Sequence, residues 1–167
     1  PMLLDFPLEA KIVEFNRHDN LSAMAAEVMR IADGRSFIPV GFSMGGMVAF
    51  ELIRKNIGQL AGLVLLNSNS HADIPGRKVG RDSHLKMAKT RGIEAFIRQE
   101  YLPVYFCDPF CHNGEIVTEM AKQLGVTTFD AQLKVLAERP YSLNILSSFD
   151  PFSYTHLTLP PIKHCTF

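Results

Sequence analysis

Hydrophobic and polar positions change their period several times along the chain, and each change marks an element. Lys11-Ile12-Val13-Glu14-Phe15 is short, β-branched and half apolar, which predicts a strand. The period then lengthens: Leu21, Met24, Ala25, Val28, Met29 and Ala32 recur at helical spacing, with Asp19 or Asn20 as N-cap and Gly34 as the stop. Ser36 to Val40 predicts a second short strand, followed at once by a glycine-rich turn. Met44 to about Lys55 predicts a helix with Met47, Val48, Leu52 and Ile53 available for burial. Leu60 to Leu66 is a nearly continuous apolar run, suited to a strand covered on both faces. Strands alternating with helices at this spacing predict an α/β fold with a parallel sheet and right-handed crossovers.

Beyond Asn67 the texture changes. Residues 68–80 read as a polar loop with Pro75, Gly76 and Gly80, and helical patterns follow over about 81–89, 93–101, 114–124 and 127–138. A helical insertion after a sheet strand predicts a lid over the strand ends, where α/β proteins bind ligands; plain packing on one sheet face is the alternative. The expected organisation is a partial α/β core over 1–70, a helical lid over 71–140, a return towards the core over 141–152 and a separate tail over 153–167. Ser153-Tyr154-Thr155-His156-Leu157-Thr158-Leu159-Pro160 resembles the conceptual translation of a transposase-type sequencing adapter, so the tail is expected to be read-through rather than protein. Pro1 in place of an initiator adds the expectation that the chain is cut at both ends.

Composition narrows the classes of function. Of 167 residues, 17 are basic and 17 acidic, and no basic stripe stands out, which argues against a nucleic-acid partner. The apolar runs are too short to cross a bilayer, so no membrane partner is expected. Three cysteines, an odd number without scaffold spacing, fit a reducing cytoplasm better than a disulfide framework. Cys107-x3-Cys111-His112 lacks the second ligand pair of the usual zinc spacings, so no metal and no cofactor is expected. The expected partner is a small-molecule substrate.

The chemistry concentrates at Gly41-Phe42-Ser43-Met44-Gly45-Gly46. Gly-x-Ser-x-Gly alone is weak, but here it follows a predicted strand and opens a predicted helix, the context in which a turn lifts a serine hydroxyl above a sheet. Gly41 and Gly45 are expected to remove side chains where strand and helix approach, with Gly46 thinning the helix start. The helix N-terminus offers free N–H groups and a positive dipole end to a developing oxyanion. Elsewhere, Arg77, Lys78 and Arg81 read as solvated loop charges, His18 as a surface or capping residue, and His84 and His112 as exposed. Phe96, Tyr101, Tyr105, Phe106 and Phe110 read as helix packing, with pocket lining the alternative.

The run Gly41-Phe-Ser-Met-Gly-Gly-Met-Val-Ala-Phe-Glu51, followed by Leu60-Ala-Gly-Leu-Val-Leu-Leu-Asn67, resembles the α/β-hydrolase superfamily, and within it the small esterase-like members. Asp19 to Ala26, Met120 to Gly125 and Arg139-Pro-Tyr-Ser142 are similar to further parts of that group, so the resemblance spans about residues 8–150. It implies that Ser43 attacks an ester or related carbonyl to give an acyl-enzyme, with the Met44 N–H as one oxyanion donor. Phe42 and His71 are expected to border the substrate pocket. The second oxyanion donor, the acid and the histidine are expected outside the readable chain, which makes the fragment itself inactive. Asp150 with His164 has the right order but too short an interval, and Asn67 reads as a polar strand end. Carbon–carbon hydrolase, haloperoxidase and thioesterase chemistry, and a non-catalytic ligand-binding role, remain alternatives.

Overall fold

The computed structural model describes residues 9–106, 108, 110, 112–146 and 149. Its elements run α1 (Leu21–Ala32), β1 (Val40–Phe42), α2 (Met44–Arg54), β2 (Val64–Leu66), α3 (Arg77–Arg91) and α4 (Ile93–Phe96). A π-helical turn (Ile97–Tyr101), α5 (Leu102–Tyr105), α6 (His112–Glu138) and α7 (Leu143–Leu146) follow.

α1 forms where the helical spacing predicts it. The Asn20 side chain accepts from the Ala23 N–H at 2.8 Å, satisfying one of the donors that a helix start leaves over. At the other end Asp33 enters the left-handed region at φ 51° and its N–H donates to the Met29 carbonyl, so the stop begins one residue before Gly34. Met24 and Ala25 on α1, Val48 and Leu52 on α2, and Val135 on α6 make one buried cluster, with Phe15, Phe37, Met44 and Leu60 packed against it.

β1 and β2 are parallel, with Val40 opposite Val64, Gly41 opposite Leu65 and Phe42 opposite Leu66. The chain is thus mixed helix and strand around a small parallel sheet. Both strands are shorter and later than the apolar runs predict. Phe37 bridges Leu60 in isolation, and Pro39, which has no N–H, joins the pairing only through its carbonyl, accepting from Val64 at 3.0 Å. Regular pairing therefore starts at Val40. β2 is half-buried on both faces instead of covered, because a two-stranded sheet leaves its flanks open.

Lys11 to Phe15 forms no strand. An extended segment becomes a strand only when a neighbour takes up its N–H and C=O groups, and none lies alongside it among the described residues. Phe15 still finds the core, so its apolar side chain is used while its backbone pattern is not.

The second half is helical, as its periodicity predicts. α3 starts at Arg77, earlier than the pattern indicates, which shortens the preceding loop. α6 is two helices joined at Gly125, whose φ of 73° and ψ of 172° break the helix between the two predicted segments. Ala88, Phe96, Ile97 and Leu102 form a second buried cluster, packed against Met87, Tyr101, Val117 and Phe129. Among the described residues no helix is long and apolar enough to cross a membrane.

Candidate functional site at the strand-to-helix turn

Ser43 stands between β1 and α2, and its backbone is the most unusual feature of the turn. Its φ is 50° and its ψ is −111°, outside the left-handed helical region that a non-glycine residue can enter at modest cost. Gly41, Gly45 and Gly46 all avoid positive φ, so the conformational burden falls on the serine and not on the glycines around it. The turn is fixed from both sides. The Ser43 N–H donates to the Leu66 carbonyl at 2.9 Å, and the Ser43 carbonyl accepts from the Gly46 N–H at 3.1 Å. The residue is exposed, and among the described residues nothing hydrogen-bonds its hydroxyl.

The glycines serve close approach, but not in the expected distribution. A Cβ on Gly41 would lie 2.6 Å from the Gly45 carbonyl oxygen and from Gly46 backbone atoms. One on Gly46 would lie 2.3 Å from Ser68 Oγ and 2.5 Å from Ser68 Cβ. A Cβ on Gly45 would meet nothing within 4 Å, so the expectation that Gly45 relieves a strand–helix contact is corrected: Gly46 does so, against the loop after β2. Ser68 is a residue the sequence reading overlooked. Its hydroxyl is buried without a hydrogen-bond partner among the described residues, and no local pattern marks it.

α2 begins without a side-chain cap and without an acidic residue in its first turn. The N–H groups of Met44 and Gly45 precede any intrahelical acceptor and stand at the positive end of the helix dipole. Phe42, 64% exposed, flanks the serine on the open side. His71 is also exposed, but its ring tilts against Tyr141 at 5.9 Å and its backbone N–H donates to Asn69 Oδ1; neither contact involves Ser43. The structure therefore brings Gly41, Phe42, Ser43, Met44, Gly45 and Gly46 together, and joins them to Leu66 and Ser68.

Several polar residues sit differently from their sequence reading. His18 is half-buried, its ring edge-on to Phe15 at 5.9 Å and its Nδ1 buried without a partner among the described residues. His84 is likewise half-buried, 5.5 Å from the Phe96 ring and 3.4 Å from the Tyr101 hydroxyl. Burial raises the Tyr101 phenol above its usual range. His112 is exposed, as expected. Phe96 is fully buried, with Tyr101 and Phe106 packed at the same cluster, so these three serve helix packing, whereas Tyr105 and Phe110 are exposed and do not. A cleft of about 220 Å³ lies between α4, the π-helical turn and α6, lined by Ile97, Val117, Ala121 and Phe129; no residue of the serine turn borders it.

Arg81 is not a solvated loop charge. It lies on α3 with its side chain 14% exposed, and both its Nη groups donate to the Asp73 carboxylate. Arg139, after α6, is 7% exposed; its Nη1 lies 3.2 Å from Asp73 Oδ1 and its Nε donates to the His71 carbonyl. The Arg81 hydrogen bonds, then the charges of Arg81 and Arg139, hold the Asp73 carboxyl below the usual range against the opposing effect of burial. Burial, the largest influence on Arg139, lowers its guanidinium against the pull of Asp73. Sequence reasoning missed Asp73, because a loop residue eight positions before its partner falls outside any helical spacing. Cys107, Cys111, Asp150, His164 and the segment 153–167 lie outside the described residues. Among the described residues no group of histidine, cysteine or carboxylate side chains could hold a metal ion.

No protein-family model matches the chain, and no curated protein matches it. Among solved structures it is similar to a thermophilic esterase from Thermogutta terrifontis, solved with malate bound, at 27% identity and a TM-score of 0.62. The likeness covers 82% of this chain and 52% of the esterase chain, so the chain spans about half the length of that protein.

Proposed function

We propose that the chain carries the nucleophile turn of a serine hydrolase of α/β-hydrolase type, acting on a small, largely apolar ester or related acyl compound. The observation that carries this reading is Ser43 itself: a non-glycine residue held at φ 50° and ψ −111° between a parallel strand and an uncapped helix start. Such strain persists only where the surroundings enforce it, and here it presents the hydroxyl to solvent beside free N–H groups. Ser43 Oγ would attack the carbonyl carbon, and the Met44 N–H would donate to the oxygen as it gains charge. The esterase likeness supports the same coarse class. In this reading Phe42 and His71 border the acyl site, and the helical segment 71–140 forms its lid. The exposed apolar side chain of Phe42 supports the substrate class.

Acyl transfer needs a base for the Ser43 proton, and no described residue bonds that hydroxyl. The test is labelling of the gene product, purified from its own source, with a fluorophosphonate and peptide mapping of the adduct. An adduct on Ser43 that is absent in Ser43→Ala is the expected result. Folded protein without an adduct would overturn the reading.

A further inference from the structure

Two sets of elements pack among themselves: α1, β1, α2, β2 and α7 in one, and α3, α4, the π-helical turn, α5 and α6 in the other. Each set has its own buried cluster, and only Val135 of the second set reaches the first cluster with a buried side chain. Thr128 adds one tie, its hydroxyl donating to the Asn16 carbonyl at 2.7 Å. That is a small apolar foothold for a segment of this size.

Among the described residues, two further ties meet at one side chain. Asp73 stands in the loop that leaves β2. Arg81, on the first helix of the second set, donates two hydrogen bonds to it, and Arg139, just past the last helix of that set, approaches it at 3.2 Å. The chain thus enters and leaves the helical segment at the same carboxylate. Arg139 also donates to the His71 carbonyl, and the Ser142 N–H donates to the Ser70 carbonyl at 2.7 Å, so residues 139–142 run along the same loop. On the far side Arg54 of α2 donates to Ser142 Oγ at 2.8 Å, which keeps α7 with the first set.

We infer that Asp73 is a latch: one carboxylate fastens both ends of the helical segment to the loop after β2, and its loss frees that segment as an intact unit. The chemistry favours this division. All three charged side chains are mostly buried, and without the carboxylate the Arg81 charge is left uncompensated there, while Arg139 keeps only the His71 and Leu136 carbonyls. A segment with its own apolar cluster can carry that charge to water without unfolding. The inference concerns how two packed bodies are joined and holds whether or not Ser43 is a nucleophile.

Hydrogen exchange on the 167-residue chain, comparing wild type with Asp73→Asn, tests it. Exchange is expected to quicken about tenfold or more over 68–76 and 139–142, while amides inside α1, α2, α3 and α6 keep their protection. Equal loss of protection in α1 and α2 would overturn the latch, and so would an unchanged pattern. Should Asp73→Asn lose its helical circular-dichroism signal, Arg81→Gln and Arg139→Gln take its place, each removing one tie. Arg81→Gln is expected to loosen 73–80 most, and Arg139→Gln to loosen 139–142 most. Identical patterns from the two variants would overturn the shared-carboxylate arrangement.

Discussion

Ser43 and Leu66 are joined through the backbone, the Ser43 N–H donating to the Leu66 carbonyl at 2.9 Å, so the strained turn is anchored on the last residue of β2. A residue held in such a region costs about 1–3 kcal/mol, which the surrounding packing must offset. Glycine at this position removes the steric part of that cost, although it also gains freedom in the unfolded chain. Ser43→Gly is expected to stabilise the chain by about 1 kcal/mol in urea unfolding. Ser43→Ala keeps the strain and loses an unbonded hydroxyl, so it is expected to stay within about 0.5 kcal/mol of wild type.

The three glycines of the turn are expected to behave differently under one and the same substitution. Gly46→Ala drives a methyl group into Ser68, at 2.3 Å from Oγ, and overpacking of this kind costs about 1–3 kcal/mol. Gly41→Ala meets backbone at 2.6 Å, which cannot rotate away, so its cost is expected to be about 3 kcal/mol or more. Gly45→Ala points into open space near the start of α2 and is expected to gain up to about 1 kcal/mol from helix propensity. Denaturant midpoints of the three variants check the order.

Ser68 supplies the complementary test. Its buried hydroxyl has no partner among the described residues, and an unsatisfied buried donor costs about 1–3 kcal/mol. Ser68→Ala is therefore expected to raise stability by about 1 kcal/mol. Ser68→Gly combined with Gly46→Ala is expected to recover most of what Gly46→Ala loses, because it removes the Cβ that the new methyl meets. A double-mutant cycle with no coupling between the two positions would refute the contact.

Much of this architecture is legible in the sequence where local signals agree with one another. Asp19-Asn20, the i, i+3, i+4 spacing of Leu21, Met24 and Ala25, and Gly34 all specify the same helix, and α1 follows them with Asn20 as the cap and the stop one residue earlier. The serine turn is legible because glycine, serine and glycine fall between a strand pattern and a helix pattern. The strand over Lys11 to Phe15 is not, because pairing depends on a neighbour that no local pattern can announce. Pro39 moved the start of β1 in a way the apolar run concealed. At the site, local spacing located Ser43 and its glycines but not the tertiary partners. Ser68 meets Gly46 from a separate loop, and Asp73 gathers Arg81 and Arg139 from opposite ends of a long segment. The family resemblance named Arg139 through its motif without indicating what it binds.

The Asp73 cluster also fixes a pH dependence with a definite sign. Arg81 from α3 and Arg139 from beyond α6 face the carboxylate, with Arg77 near Arg139, and their combined effect lowers the Asp73 carboxyl below its ordinary value. A group whose folded value is depressed contributes stability above its unfolded value, about 3.9 for aspartate, and loses that contribution as pH falls through the folded value. The stability difference between wild type and Asp73→Asn is therefore expected to be flat from neutral pH down to about pH 5 and to shrink below about pH 4. Raising the salt concentration is expected to change it little, since screening acts weakly on pairs this far out of solvent. Urea unfolding of both proteins across that range measures it. A difference that grew on acidification would mean that the carboxylate is not held in its charged form by the two arginines.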